Sequence, residues 1–248
     1  MKLHIVGLTD VGLVRAGNED AILVAPDFSL AVVCDGMGGH EAGEVASQTA
    51  VESIQAWYAQ GGDDGGHFQL DPSLPAPARR IASAVLYADQ SIRAAATVPG
   101  RQGMGTTVVA AQLVGHELFV AHAGDSRAYL ARGRTMSQVT QDHSVVGDLL
   151  RAGIITEAQA QHVKKNAITR ALGVTDNLVV DVDALEVAPG DTVLLCSDGL
   201  HGLVPDQHIG AVLCGGNSLD HACQVLIDAA NAAGGSDNVS AVILRVEA

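Results

Sequence analysis

The sequence predicts an α+β fold in which antiparallel β-sheets are covered by pairs of helices. Three observations lead to this prediction: β-type runs are joined by short hairpin-like links, amphipathic helical segments come in pairs, and no βαβ alternation runs along the chain. The chain has 248 residues, of which 48% are hydrophobic and 17% charged, which is enough for one large core. We therefore expect one domain over residues 1–248, without internal repeats.

The first half of the chain predicts three strands and then two helices. The β-type runs are bounded by Gly, Pro and Asp turn signals and lie at residues 4–8, 21–25 and 29–34. Apolar residues at helical spacing predict helices over 41–60 and 78–97. The segment 61–77 between them is rich in Gly, Pro and Asp and has no period, so we expect a mobile connector.

The second half returns to strands, and a polar region interrupts them. Strands are predicted at 106–114, 117–125, 127–132, 183–187, 192–197 and 239–247, with two helices near 205–214 and 218–233. Gly115 and His116 are placed like a tight hairpin turn between two of the strands. The polar region begins at Asp142 and is expected to be mostly helical, with Asp142 and Ser144 capping its first helix.

Charge and cysteine content exclude several classes of protein. With 14 basic and 28 acidic residues the net charge is −14, which argues against a nucleic-acid or anionic-membrane surface. The N-terminus has no apolar stretch of signal-peptide length, and no run reaches the ~18 residues of a membrane span. The 4 cysteines have neither C-x-x-C spacing nor the density of a disulfide scaffold. We expect a cytoplasmic protein with reduced core thiols.

Acidic residues recur where predicted strands begin or end. Asp35-Gly36 and Asp198-Gly199 each follow an apolar run that ends in cysteine, and Asp125 follows a strand and a glycine. Asp237 precedes the final strand, while Glu19 and Asp20 precede the second, with Arg15 nearby. An Asp-Gly pair often marks only a turn, but four such sites and an arginine indicate a shared site if the sheets pack face to face.

Such a group of carboxylates needs cations. Clustered carboxylates repel one another, and burying an unpaired one is costly. An all-oxygen ligand set favours Mg²⁺ or Mn²⁺ over zinc, and a glycine after each Asp lets a backbone carbonyl approach the metal closely. The sequence therefore predicts a divalent-cation site.

In these motifs the sequence resembles the metal-dependent type 2C protein serine/threonine phosphatases, in their compact bacterial form. The likeness runs from about Gly12 to Val246 and rests on eight blocks in family order. The blocks are G-L-V-R-A-G-N-E-D, V-C-D-G-M-G-G-H-E-A-G-E, G-T-T-V-V, A-G-D-S-R-A-Y-L, T-Q-D-H-S, T-R-A-L-G, C-S-D-G-L and S-D-N-V-S. The fold implied is a four-layer αββα sandwich, two antiparallel sheets flanked by pairs of helices.

The resemblance also implies a role for each site residue. Asp35 matches the carboxylate that bridges two metals, and the Gly36 carbonyl matches a ligand of one of them. Arg15 matches the phosphate-binding arginine. The other implied metal ligands are Asp198 and Asp237 as terminal ligands, Glu19 and Asp20 at the second metal directly or through water, and Asp125 with Asp198 at a third, weaker site. Residues 144–168 correspond to a variable flap beside the active site.

The implied activity is hydrolysis of phosphoserine and phosphothreonine in proteins by a water or hydroxide that bridges two Mn²⁺ or Mg²⁺ ions. The implied partners are phosphorylated proteins and a cognate eukaryotic-like Ser/Thr kinase, and a monomer is expected. Animal members carry a His directly after the first Asp-Gly, where this chain has Met37, so the general acid stays open between His40, His143 and a metal-bound water. Met37 itself is expected to serve in packing.

Other functional classes compete with this interpretation. Ser126 and the D-H-S block at 142–144 are compatible with a serine hydrolase, but that explains neither Asp35 nor Asp198 nor Asp237. A chelator discriminates, because a serine esterase survives EDTA. A non-catalytic phosphoprotein-binding module on the same fold is disfavoured because every expected metal-binding acid is present. A stress-response phosphatase of the partner-switching kind is a narrower alternative, against which Arg15 and the flap argue.

Overall fold

The computed structural model describes residues 1–38, 42–62, 66, 68–160 and 167–248. The first half contains β1 (Lys2–Asp10), β2 (Asp20–Ala25), β3 (Leu30–Met37), α1 (Ala42–Ala59), α2 (Ala76–Ala95), β4 (Gly105–Thr106), β5 (Val108–Val114) and β6 (Glu117–Ala123). The second half contains β7 (Arg127–Arg132), β8 (Thr135–Gln138), α3 (Val145–Arg151), α4 (Glu157–Ala160), β9 (Asp181–Glu186), β10 (Thr192–Cys196), α5 (Asp198–His201), α6 (Asp206–Leu213), α7 (Leu219–Ala232) and β11 (Val239–Glu247).

Two antiparallel sheets form the centre of the protein, as predicted. One has the order β1-β11-β10-β7-β8, and the other has the order β2-β3-β5-β6-β9, with β4 added beside β3. Strands β5 and β6 are joined by the predicted hairpin, in which Gly115 adopts a φ of 64°. Because β1 pairs with β11 along its whole length, the two ends of the chain lie in one sheet.

Three apolar layers hold four layers of secondary structure together, so the predicted αββα sandwich is confirmed. One layer lies between α1, α2 and the sheet of β2, β3, β5 and β6. A second lies between α5, α6, α7 and the other sheet, and a third fills the space between the two sheets. In β3 the alternation of side chains sends Val32 and Cys34 toward the helices and Ala31 and Val33 toward the opposite sheet.

Several sequence predictions differ from the structure in detail. The strand β8 was missed because its residues, T-M-S-Q, are mostly exposed and lack an apolar alternation. Within the predicted connector, residues 63–65 and 67 lie outside the described part, while Phe68 and Leu74 pack against the α1/α2 layer. Within the predicted flap, α3 and α4 are helical as expected, and residues 161–166 lie outside the described part.

None of the helices in the described residues combines enough length with enough hydropathy to cross a bilayer. The 4 cysteines are free thiols, and Cys34, Cys196 and Cys223 are buried, as the sequence predicts.

Candidate metal centre

Five of the predicted acids meet at one end of the two sheets and are called the acid cluster: Asp20, Asp35, Asp125, Asp198 and Asp237. Asp20 of β2 lies directly opposite Asp35 of β3 in the strand register. The other sheet brings Asp198 at the start of α5 and Asp237 just before β11, and Asp125 lies on the link from β6 to β7. The charges of all four neighbours act on Asp35, so these carboxyl groups share one site.

Asp35 lies inside a strand, whereas the sequence predicted that the strand ends before it. β3 continues to Met37 because its end changes partners and pairs with β4, Gly36 opposite Thr106 and Met37 opposite Gly105. The Asp35 backbone is fixed on both sides: its N–H donates to Thr107 Oγ1 at 3.0 Å, and its carbonyl accepts from the Thr107 N–H at 2.9 Å. The side chain therefore projects from a rigid part of the sheet.

Gly36 is required here because the backbone passes very close to two other segments. A Cβ on Gly36 would lie 2.2 Å from the Gly43 carbonyl oxygen and 2.5 Å from that of Glu19. The Gly36 N–H donates to the same Glu19 carbonyl at 3.0 Å. Any side chain at this position would push α1 and the Glu19 segment away from Asp35.

Burial and crowding raise the pKa values of the cluster's central acids. Burial raises the pKa of Asp35 well above its usual range, and the charges of Asp20 and Asp198 raise it further. The pKa of Asp198 is raised by burial first and then by Asp237, although a hydrogen bond with Asp35 partly offsets this. Protons partly neutralise the crowded carboxyls when no cation does so.

Asp20 is held by two serines that sequence reasoning missed. Its Oδ2 accepts hydrogen bonds from Ser197 Oγ and Ser240 Oγ, both at 2.7 Å. Burial raises the pKa of Asp20 to about 7, although these two hydrogen bonds act in the opposite direction. Both serines stand inside the C-S-D-G-L and S-D-N-V-S blocks, so their position beside predicted ligands was the available signal.

Asp125 is positioned by a backbone clamp on the residue before it. Gly124 has a φ of 116°, a conformation that side chains disfavour. Its N–H donates to His143 Nδ1 at 3.2 Å, and its carbonyl accepts from the His143 N–H at 2.9 Å. Burial, followed by the charge of Asp198, raises the pKa of Asp125 to about 7.

Arg15 lies at the rim of the acid cluster and contacts it through Asp237. Arg15 Nη2 donates to Asp237 Oδ2 at 2.8 Å, and this hydrogen bond raises the pKa of the guanidinium. The Arg15 side chain is 47% exposed, which leaves it accessible to a ligand. The predicted phosphate-binding residue and a predicted metal ligand are therefore paired with each other.

Glu19 and the Arg15 segment are tied to β11 by Asn238, which sequence reasoning also missed. The Glu19 N–H donates to Asn238 Oδ1 at 2.8 Å, and Asn238 Nδ2 donates to the carbonyls of Val11 and Gly17, both at 2.9 Å. Burial raises the pKa of Glu19, against the opposing charge of Arg15. The segment therefore keeps a fixed position over the cluster.

Ser126, the nucleophile of the alternative serine hydrolase, and His143, a candidate general acid, both form hydrogen bonds within the fold. His143 is buried; its Nδ1 accepts from the Gly124 N–H, and its Nε2 lies 3.1 Å from both Asp181 Oδ2 and Arg170 Nη1. Ser126 is buried and hydrogen-bonds to the Thr107 hydroxyl at 2.7 Å. These bonds use Ser126 and His143 structurally, which speaks against a serine hydrolase; His40 lies outside the described residues.

The helix cap predicted for Asp142 and Ser144 is confirmed for Ser144 alone. Ser144 Oγ accepts from the Gly147 N–H at 3.0 Å and caps α3. Asp142 instead accepts two hydrogen bonds from Arg127, at 2.8 and 2.7 Å, so its carboxylate pairs with Arg127 and not with the start of the helix. Met37 lies beside Gly105, in agreement with the predicted packing role.

The donor set fits hard divalent cations. The cluster offers carboxylate oxygens from two sheets, and the basic side chain of Arg15 bonds to it through Asp237. The negative carboxylates of the cluster repel one another, which helps to raise their pKa values, and a bound dication would offset this repulsion. Oxygen-only coordination suits Mg²⁺ and Mn²⁺.

Comparison with known proteins identifies relatives that match nearly the whole chain. The family model described as Protein phosphatase 2C matches residues 11–239. The chain is 36% identical to Serine/threonine phosphatase stp of Listeria welshimeri, an alignment covering 98% of this chain and 96% of that protein. It is 33% identical to Protein phosphatase PhpP of Streptococcus pneumoniae, with 96% of each chain covered.

Solved structures show the same fold. The structure of the Mycobacterium tuberculosis serine/threonine phosphatase PstP/Ppp superimposes with a TM-score of 0.87 at 34% identity and covers 100% of both chains. The catalytic domain of PstP in complex with 2 manganese ions gives a TM-score of 0.84 at 34% identity, with 100% of this chain and 99% of that chain covered.

Proposed function

The chain belongs to the protein phosphatase 2C family and is a metal-dependent protein serine/threonine phosphatase; from this and from the acid cluster we propose how it works. We infer that Asp35 bridges two divalent cations, Mn²⁺ or Mg²⁺, with Asp198, Asp237 and the Gly36 carbonyl as further ligands. Such cations would lower the pKa of a shared water and orient it for in-line attack on the phosphorus of phosphoserine or phosphothreonine. The single observation that carries the proposal is the convergence of these acids on Asp35.

The remaining acids serve the same site in this proposal. Glu19 and Asp20 hold the second cation directly or through water, and the hydrogen bonds from Ser197 and Ser240 fix the Asp20 carboxylate for that purpose. Asp125 and Asp198 form a weaker third site, and the clamp on Gly124 sets the position of Asp125.

Arg15 binds the substrate phosphate. A guanidinium donates two parallel hydrogen bonds to phosphate oxygens and opposes the charge that develops on them. Arg15 is paired with Asp237. If Asp237 held a cation, its charge would be shared with that cation, and the guanidinium could turn to the phosphate.

The proposed setting is a bacterial signalling system. We infer that the protein acts as a monomer on phosphoproteins and opposes a cognate Ser/Thr kinase. The free thiols support a reducing compartment such as the cytoplasm.

The experiment that tests this function is hydrolysis of p-nitrophenyl phosphate and of a phosphothreonine peptide across an Mn²⁺ titration, with EDTA as the control. We expect turnover that rises with Mn²⁺ and disappears in EDTA. Turnover that survives EDTA contradicts the proposal.

A further inference from the structure

A groove of about 480 Å³ leads from the acid cluster to the helices of the predicted flap. Its inner end is lined by Asp125, Asp198 and Asp237. Farther out, its walls include apolar side chains from two different segments: Val146, Leu150 and Ala160 of α3 and α4, and Leu203 after α5. A volume of this size is within the range of sites that bury a small ligand or a few side chains.

The helix α3 has apolar residues that the core does not use. Val145, Val146, Leu149 and Leu150 are four of its seven residues, and none of the helix is buried. A surface helix normally packs its apolar stripe against the core. Val146 and Leu150 are four residues apart, so they lie on the same side of α3, the side that lines the groove.

Three polar side chains that line the outer groove beside α3, those of Arg127, Asp142 and Ser144, already have partners. Arg127 donates two hydrogen bonds to Asp142, and Ser144 caps α3 through the Gly147 N–H. These groups are therefore poorly placed to recognise a charged residue of a ligand. The surface left for new contacts is the apolar one.

The groove and the acid cluster are continuous. Asp198, a proposed metal ligand, is the first residue of α5, and Leu203 follows the end of the same short helix. A phosphoprotein segment that places its phosphate at Arg15 and the cations must lay its neighbouring residues along a surface that adjoins the cluster. The groove is such a surface.

We propose that this groove binds an apolar side chain next to the phosphorylated residue, so that the enzyme prefers phosphoprotein segments with Leu, Ile, Val or Met at that position. The inference rests on the proposed function and adds to it the kind of substrate sequence. Val146, Leu150 and Leu203 are the specificity residues.

The test compares phosphothreonine peptides that differ only in one flanking residue. Leu, Ser or Asp is placed in turn at each of the three positions on either side of the phosphothreonine, and kcat/KM is measured with Mn²⁺. At one position we expect Leu to give about 10-fold higher kcat/KM than Asp, as a single apolar contact allows. The Leu-to-Asp ratio is taken within each protein, so changes in overall activity cancel.

Substitutions on α3 then locate the preference. Leu150→Ser and the nearly isosteric Val146→Thr should both reduce the Leu-to-Asp ratio to below about 3-fold. The matched control is Val145→Asp, on the same helix and 41% exposed, outside the groove lining; it should retain the ratio and its p-nitrophenyl phosphate turnover.

Two results overturn the inference while leaving the proposed function intact. One is equal kcat/KM for the Leu and Asp peptides at every position in the unmodified enzyme, and the other is a full preference in both α3 variants. If neither p-nitrophenyl phosphate nor any peptide is hydrolysed with Mn²⁺, the proposed function fails. In that case the inference is tested separately by measuring peptide binding through fluorescence anisotropy. Equal affinity for the Leu and Asp peptides overturns it.

Discussion

Two groups of half-buried acids in this protein behave oppositely. In the acid cluster, burial and neighbouring carboxylates raise the pKa values of Asp35 and Asp198. Asp142 is close enough for its charge to act on Asp125 of the cluster. Burial alone would raise the pKa of Asp142, but the hydrogen bonds and charge of Arg127 outweigh burial and hold this pKa below its usual range. The position of an acid near a strand end therefore does not decide its role. What decides it is whether a basic side chain lowers its pKa, as Arg127 does for Asp142.

The same contrast extends along the sheets. Burial would raise the pKa of Asp181, yet His143 and Arg170 lower it. The pKa of Asp191 is lowered in the same way by Arg132. These acids are already neutralised and serve structure. In the acid cluster Arg15 pairs with Asp237, whereas the pKa values of Asp35 and Asp198 stay raised. On the proposed function, bound cations supply the missing positive charge.

The strongest test of the contrast replaces one acid from each group by its amide. Asp35→Asn should lower Mn²⁺-dependent turnover by about 1,000-fold or more, because it removes a bridging ligand worth several kcal/mol to the transition state. The same change should raise the melting temperature of the metal-free protein in EDTA, because it removes a crowded carboxylate. A lower melting temperature contradicts the account of the cluster.

Asp142→Asn should have the opposite effect on stability. It leaves the Arg127 guanidinium, whose side chain is only 21% exposed, without its carboxylate, at a cost of about 3 kcal/mol in the free energy of unfolding. Urea denaturation in EDTA measures this cost. If Asp142→Asn leaves the free energy of unfolding unchanged or raises it, the two groups do not differ as claimed.

The contrast also predicts a pH dependence. The pKa of Asp125 is about 7 in the folded chain and near 4 when unfolded, so the folded state binds its proton more tightly. Its destabilising effect is therefore absent below about pH 4 and grows as pH rises toward 7, reaching a few kcal/mol at most. In EDTA, the melting temperature of Asp125→Asn should equal that of the unmodified protein near pH 4 and exceed it increasingly up to pH 7. A difference in melting temperature between the two proteins that shrinks as pH rises contradicts this expectation.

Arg15 pairs with Asp237 of the acid cluster, and its substitution should have a smaller effect than that of Asp35. Arg15→Ala should raise KM for a phosphopeptide about 10-fold while changing kcat less, because it removes phosphate binding more than metal activation. Its half-exposed pairing with Asp237 predicts a stability change under about 1 kcal/mol. Steady-state kinetics at saturating Mn²⁺ checks the first expectation, and an unchanged KM argues against the role in phosphate binding.

The smallest effect is expected for a polar residue that bonds only to a backbone amide. Ser144→Ala removes the N-cap of α3 and should cost about 1 kcal/mol of local stability. Hydrogen exchange of the α3 amides should accelerate, while Mn²⁺ affinity stays the same. A matching loss of Mn²⁺ affinity shows that α3 and the metal centre are coupled, contrary to this account.

The sequence predicted the acids of the centre but not their fixed surroundings. Asp35, Asp198 and Asp237 were identifiable because turn residues flank them in the chain, and Ser144 because an N-cap is local. The Arg127–Asp142 pair and the His143–Gly124 clamp were not, since each joins segments that only tertiary packing brings together. For the same reason the strand β3 extends past Asp35, where pairing with β4 overrides the turn signal of Asp-Gly.

The most direct test of the central claim is an Mn²⁺ titration followed by electron paramagnetic resonance, in which free Mn²⁺ is counted. We expect about two tightly bound ions per chain in the unmodified protein and in Asp142→Asn, and fewer in Asp35→Asn. Equal binding by Asp35→Asn, or no binding by the unmodified protein at millimolar Mn²⁺, would contradict the claim that the acid cluster forms the metal centre.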